Sequence, residues 1–183
     1  MSIEDLPDVP LIRIFFFLDL ENLLLIINRV CTRFYNLHEK TPVLWKIFEF
    51  YEHLIIKEED FPYIFQHAIK FNVFNIIYCT YTGHHYSFDY YCVTKLSNSN
   101  QLTWLNLTGT PISTTCFLQL LPNLEILDLS QCPNLNDNDF HAASVCHKLK
   151  TLHLSFSYLD PKTVQTLSHV HQLYKFWIFV EFN

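Results

Sequence analysis

Metal ligation, thiol chemistry and acid–base catalysis each need particular side chains at particular spacings. His84-His85 beside Gly83 offers two imidazoles, but no third ligand stands at a suitable spacing, so the pair reads as loop histidines rather than a metal site. Glu58-Glu59-Asp60 is a run of carboxylates that reads as a solvated turn. The six cysteines, Cys31, Cys79, Cys92, Cys116, Cys132 and Cys146, form no C-x-x-C pair. They read as reduced, mostly core thiols of a cytoplasmic or nuclear chain. No G-x-S-x-G or H-E-x-x-H occurs. With two glycines, Gly83 and Gly109, a phosphate-cradling loop is excluded. The expectation is a non-enzyme with no catalytic residue, no metal ligand and no cofactor.

What remains is apolar and aromatic. Half of the 183 residues are hydrophobic, with 17 Phe and 10 Tyr, enough for one domain or two small ones. The net charge of −6 argues against nucleic acid and against an anionic membrane surface. Arg13 interrupts the longest early apolar run, and nothing approaches the ~20 apolar residues of a membrane span. Met1 to Asp5 is acidic, unlike the start of a signal peptide. Asn106-Leu107-Thr108 matches a glycosylation sequon but falls inside an expected strand, and it is discounted.

The first 50 residues predict three short helices. Asp8 precedes an apolar run in which Pro10 suits a first turn, and Leu11, Ile14, Phe15 and Leu18 share one face. Asp19 suits an N-cap for a second helix carrying Leu23, Ile26, Ile27, Val30, Phe34 and Leu37. Thr41-Pro42 suits the start of a third, with Leu44, Trp45 and Phe48 on its face. So small a unit leaves apolar surplus, including Phe16, Phe17, Leu24 and Leu25, for a partner or a following domain to cover.

In order, Leu6-Pro7, Ile14-Phe15, Leu18, Val30-Cys31, Arg33-Phe34 and Leu44-Trp45 resemble an F-box, the module that docks onto the Skp adaptor of a cullin–RING ubiquitin ligase. The resemblance implies an adaptor-binding surface of Leu6, Pro7, Ile14, Phe15, Leu18, Leu23, Val30, Cys31 and Trp45. The chain departs from the family at Val9-Pro10, where a Glu and an aliphatic residue are common, which predicts a shortened first helix.

The second half repeats. Leu102-x-x-Leu105-x-Leu107 recurs from Leu124, from Leu149 and, loosely, as Leu173-x-x-Phe176-x-Ile178, at offsets of 22, 25 and 24 residues. A weaker upstream copy reads Phe74-x-x-Ile77-x-Cys79. This period is that of leucine-rich repeats, each a short strand, a turn and a helix behind it. Thr110-Pro111, Asn136 to Asp139 and Asp160-Pro161 read as helix starts, with Phe117-Leu120-Leu121, Phe140-Ala143 and Val164-Leu167 as the helical faces. Ser130 to Leu135 and Cys146 to Leu149 resemble the cysteine-containing class of these repeats, with Thr110 and Ser157 standing where a Cys or Asn is usual.

The fold class expected is therefore α+β to α/β. A three-helix F-box at 1–50 and a helical linker at 51–71 precede repeats at 72–183 with a parallel concave sheet and convex helices. Strand alternation puts Trp104, Asn106, Ile126, Asp128, Thr151, His153 and Trp177 on the concave face as a candidate substrate platform. The column also holds Lys175, its only Lys or Arg, so a phosphate-reading pocket has little support. Tyr174 to Phe182 reads as an apolar strand with no polar cap after it. The resemblance to F-box/leucine-rich-repeat proteins implies a substrate receptor with the Skp adaptor, a cullin–RING ligase and an unknown protein target as partners. A ligase-independent scaffold, or an F-box decoy without a target, is the alternative.

Overall fold

The computed structural model describes residues 3–18, 23, 28–50, 55–57, 60–78, 80–82, 85–155, 160–168 and 175–177. Helix α1 (Asp8–Phe15) starts where Asp8 favours the positive end of the helix dipole. Pro10 lies in the first turn, where its missing N–H breaks no helical bond, so the Val9-Pro10 departure does not delay the start. Leu11 and Phe15, one turn apart, are fully buried. A short turn, α2 (Asn28–Val30), leads to α3 (Thr32–Lys40), which buries Phe34 and His38 at the same spacing. Phe15 meets Phe34 edge to face at 5.5 Å. These residues, with Leu23 and Leu44, form a small core of their own.

The third expected helix is one 3-10 turn, Pro42–Trp45. Thr41 does not cap it; its hydroxyl donates back to the Leu37 carbonyl at 2.6 Å. Phe48 then lies in a strand, β1 (Ile47–Phe50), rather than on a helix face. The strand pairs in parallel with β3 (Val73–Ile76), so the boundary expected at residue 50 falls inside the repeat sheet. The expected helical linker holds β2 (Ile55–Lys57) as well as α4 (Phe61–Phe65). Strand β2 pairs with β4 (Thr80–Thr82) in a separate two-stranded parallel sheet.

Among the described residues the main sheet has six parallel strands in the order β1, β3, β5 (Trp104–Asn106), β6 (Ile126–Asp128), β7 (Thr151–His153) and β8 (Lys175–Trp177). Leu105, Leu127 and Leu152 align across β5 to β7, which is the repeat read from the leucines. Phe74 aligns with Leu105, so the upstream copy is Phe71-x-x-Phe74-x-Ile76, three residues earlier than the leucine-like spacing suggests. Phe48 aligns with Phe74, so one more copy begins at Trp45. Aromatic side chains take the first two leucine positions of each of these copies. Phe48 and Phe74 stack at 5.0 Å, and Phe71 packs against both. All of these residues are buried in one continuous core with the leucines.

Each repeat closes onto the next by the same backbone device. The paired N–H groups of Asn72-Val73, Thr103-Trp104, Glu125-Ile126 and Lys150-Thr151 donate to the carbonyls of Lys46, Asn72, Thr103 and Glu125 at 2.7–3.2 Å. Past the strand the chain turns through a left-handed residue at equivalent positions, Tyr78, Gly109 and Gln131. Thr110 and Cys132, also equivalent, both donate to the Leu107 carbonyl, at 2.7 and 3.1 Å. Thr110 closes its own turn, three residues back, whereas Cys132 reaches the preceding repeat, so the two side chains at this position make different bonds.

Behind the sheet, Asp160 and the Asn136–Asp139 pair start helices as expected. Asp160 accepts from Thr163 N–H at 2.6 Å at the head of α7 (Pro161–Ser168), and Asp139 accepts from Asn136 N–H at 3.0 Å in α6 (Asp137–His141). Thr110-Pro111 starts no helix; a 3-10 turn begins only at Cys116 and buries Leu118 and Leu121 while Leu120 is exposed. Of the pair read as loop histidines, His85 instead opens helix α5 (His85–Thr94). His84 and most of the 174–182 segment lie outside the described residues. No helix among the described residues is long and apolar enough to cross a membrane.

Candidate interaction surfaces

The residues expected to dock an adaptor divide by burial. Pro7 and Val30 are exposed, and Leu6, Ile14, Leu18 and Cys31 are half-buried. Phe15 and Leu23 are buried in the small N-terminal core and Trp45 in the repeat core, so none of the three presents a surface. The apolar surplus is real on this module: Phe17 is 90% exposed, and Val9 and Phe16 are exposed beside it.

Arg33 organises the surface in a way that sequence spacing does not reveal. Its guanidinium donates to the Glu4 carbonyl at 2.6 Å, to the Leu6 carbonyl at 2.7 Å and to Asp8 Oδ1 at 2.6 Å. One planar fork thus ties the Leu6-Pro7 turn and the first turn of α1 to α3. Arg33-Phe34 stands in the sequence motif, but the partners lie 25 to 29 residues away.

Trp45 belongs to the junction between module and repeats. Its indole stacks on His38 at 4.5 Å and on His67 at 3.6 Å, and its Nε1–H donates to the His38 carbonyl at 3.1 Å. His67 Nε2 lies 3.2 Å from Glu39 Oε1, and Lys70 Nζ lies 3.0 Å from His67 Nδ1. This fits a neutral imidazole with its proton on Nε2, donating to Glu39 and accepting from Lys70. Burial lowers the His38 pKa to about 4 and holds that of His67 below its ordinary value.

The concave face carries the other candidates in two rows. Ile47, Val73, Trp104, Ile126, Thr151 and Lys175 occupy one register position, and Glu49, Asn75, Asn106, Asp128, His153 and Trp177 the next. Trp104 is exposed, while Ile126, Asp128, Thr151 and His153 are half-buried. Asn106 is buried, because its Oδ1 accepts from Thr108 N–H at 2.9 Å and from the Thr108 hydroxyl at 2.7 Å. It shapes the platform and offers little surface. Asp128 accepts from Ser130 N–H at 2.9 Å, and its Oδ2 lies 3.5 Å from His153 Nδ1. Trp177 is in register with His153. The leucine-based reading omits Ile47, Glu49, Val73 and Asn75, because the first two repeats are aromatic. Among the described residues no group of three His, Cys, Asp or Glu side chains could hold a metal ion.

Residues 3–37 match the family model of the F-box domain. No curated protein matches the chain. Among solved structures the fold is similar to internalin C2 from Listeria monocytogenes, at 18% identity and a TM-score of 0.50 over 65% of this chain. The chain spans 48% of that structure, about half its length. An F-box domain at the N-terminus is thus followed by a parallel repeat sheet of leucine-rich-repeat fold.

Proposed function

We propose that this chain is the substrate-recognition subunit of an SCF-type ubiquitin ligase, acting in the cytoplasm or nucleus. The F-box docks onto the Skp adaptor through Leu6, Pro7, Ile14, Leu18, Val30 and Cys31, and the concave face holds a protein target. Isopeptide bond formation belongs to other subunits. This chain contributes proximity, by raising the target's effective concentration at the activated ubiquitin. The observation that carries the reading is the junction at Trp45, where the F-box helix α3 and the first repeat share one stacked side chain. Such a joint suits a receptor that must hold its target at a fixed offset from its dock.

Co-purification with the Skp adaptor tests the dock. Wild type should bind; Leu6→Ala/Pro7→Ala and Val30→Asp should not, while each stays folded by circular dichroism. A folded wild type that ignores the adaptor would overturn the ligase assignment and leave a repeat scaffold.

A further inference from the structure

We propose that the β1–β6 end of the concave face takes an extended peptide segment in which two basic residues flank an apolar one, of the form Arg-x-Leu-x-Arg. This rests on the concave face being the target platform and adds what the target must look like. Four neighbouring strands place Ile47, Val73, Trp104 and Ile126 side by side. Ile47 and Trp104 are exposed, and the other two are half-buried. This is an apolar stripe on a sheet face, and none of these strands adds a basic residue to it.

The adjoining row holds Glu49 and Asp128 at its ends, with Asn75 and Asn106 between. Its side-chain oxygens are hydrogen-bond acceptors. Asn75 makes the clearest case. Its Nδ2 reaches Glu49 Oε1 at 3.5 Å, while its Oδ1 is buried without a hydrogen-bond partner, an expensive state for an acceptor. A guanidinium drawn to this end of the row pairs with the Glu49 carboxylate. At the strand entrances Lys150 is already neutralised by Glu125 at 2.8 Å, and Lys46 stands before β1. Lys175 lies on β8, two strands beyond Asp128, so the acidic character is confined to the β1–β6 end.

The spacing sets the segment. Glu49 and Asp128 lie three strand intervals apart, roughly 14 Å at about 4.8 Å per interval. An extended peptide rises about 3.3 Å per residue, so side chains at i and i+4 span about 13 Å on one face, with i+2 between them. Two basic residues at i and i+4 thus match the carboxylates, and an apolar residue at i+2 falls between β3 and β5, next to the apolar row that holds Val73 and Trp104.

Three fluorescein-labelled peptides on a Ser/Ala background test this, carrying Arg-x-Leu-x-Arg, Gln-x-Leu-x-Gln or Glu-x-Leu-x-Glu. Fluorescence anisotropy with the full chain should show the Arg peptide binding about tenfold tighter than the Gln peptide at low salt, and the Glu peptide weakest. Glu49→Gln/Asp128→Asn should remove the Arg advantage, and Trp104→Ala should weaken all binding. The amide at 128 keeps an acceptor for Ser130 N–H, so that variant should melt like wild type. If the Gln peptide binds as tightly as the Arg peptide and still depends on Trp104, the charge preference is wrong and the platform stands. Arg-peptide binding that ignores these substitutions is bulk attraction to an acidic chain and overturns the proposal. Silence from all three peptides overturns the proposal and withdraws support from the platform.

Discussion

Trp45 stacks on His67 with 3.6 Å between ring centroids, joining the 3-10 turn that follows the F-box helices to the 3-10 turn at Ala68–Lys70. Trp45 is therefore both the end of one motif and the start of another. It closes the Leu44-Trp45 pair expected from the F-box resemblance and fills the first leucine position of the first repeat. Truncation to Ala leaves a cavity between the two cores and should cost about 3–5 kcal/mol. Urea denaturation checks the size. Hydrogen exchange checks the location: amides of α3 and β1 should lose protection together. A cost below about 1 kcal/mol, typical of a surface change, would refute a coupling role.

The junction also predicts a pH dependence with a definite sign. Burial lowers the His38 pKa to about 4 and lowers that of His67 too. A group whose folded pKa is below its unfolded value stabilises the neutral form. Its contribution is complete above the unfolded pKa of about 6.5 and is lost as pH falls toward about 4. For His38 the full loss is roughly 3 kcal/mol at 1.36 kcal/mol per pKa unit. Carboxylates titrate at the lower end of this range, so the readout is a difference. Urea midpoints of wild type should fall with pH more steeply than those of His38→Phe/His67→Gln. Parallel curves would show that these histidines do not govern the response.

Gly109 is constrained twice. Its φ is +67°, and a Cβ built there would collide with the Tyr78 ring. Gly109→Ala should destabilise by about 1–2 kcal/mol from the left-handed backbone alone, and more from the collision. A double-mutant cycle separates the two. Adding Tyr78→Ala should recover the collision and leave the backbone penalty. If the two substitutions add without coupling, the ring does not pack there in solution.

The leucine copies on β5, β6 and β7 are legible in the sequence because leucine at three fixed positions is a low-noise signal and each strand is short. The two copies before them are not. Trp45, Phe48, Phe71 and Phe74 do the work of leucine with larger rings, and an aromatic-rich segment offers several registers three residues apart. The choice is made by pairing: only one register sets Phe74 beside Leu105 and Phe48 beside Phe74. Of the residues expected to dock an adaptor, Phe15, Leu23 and Trp45 are buried for a related reason. An apolar residue in a motif is equally fit to touch a partner or to hold up the residues that do. The role of Arg33 is invisible to spacing, since its acceptors include two main-chain carbonyls more than 25 residues away.

Arg33 should accordingly matter more to binding than to folding. The ion pair with Asp8 is solvent-exposed, with side chains 42% and 62% accessible, so its loss should cost the isolated chain only about 1 kcal/mol or less. The two carbonyl contacts fix the Leu6-Pro7 turn, and releasing it should make adaptor docking bear the cost of ordering that turn. Arg33→Ala should weaken adaptor binding by roughly tenfold while barely moving the melting temperature. Arg33→Lys should recover only part, because an ammonium cannot reach all three acceptors with one planar fork. Calorimetry with purified adaptor gives the affinities. Equal affinities for wild type and Arg33→Ala would show that the turn is already ordered without the clamp.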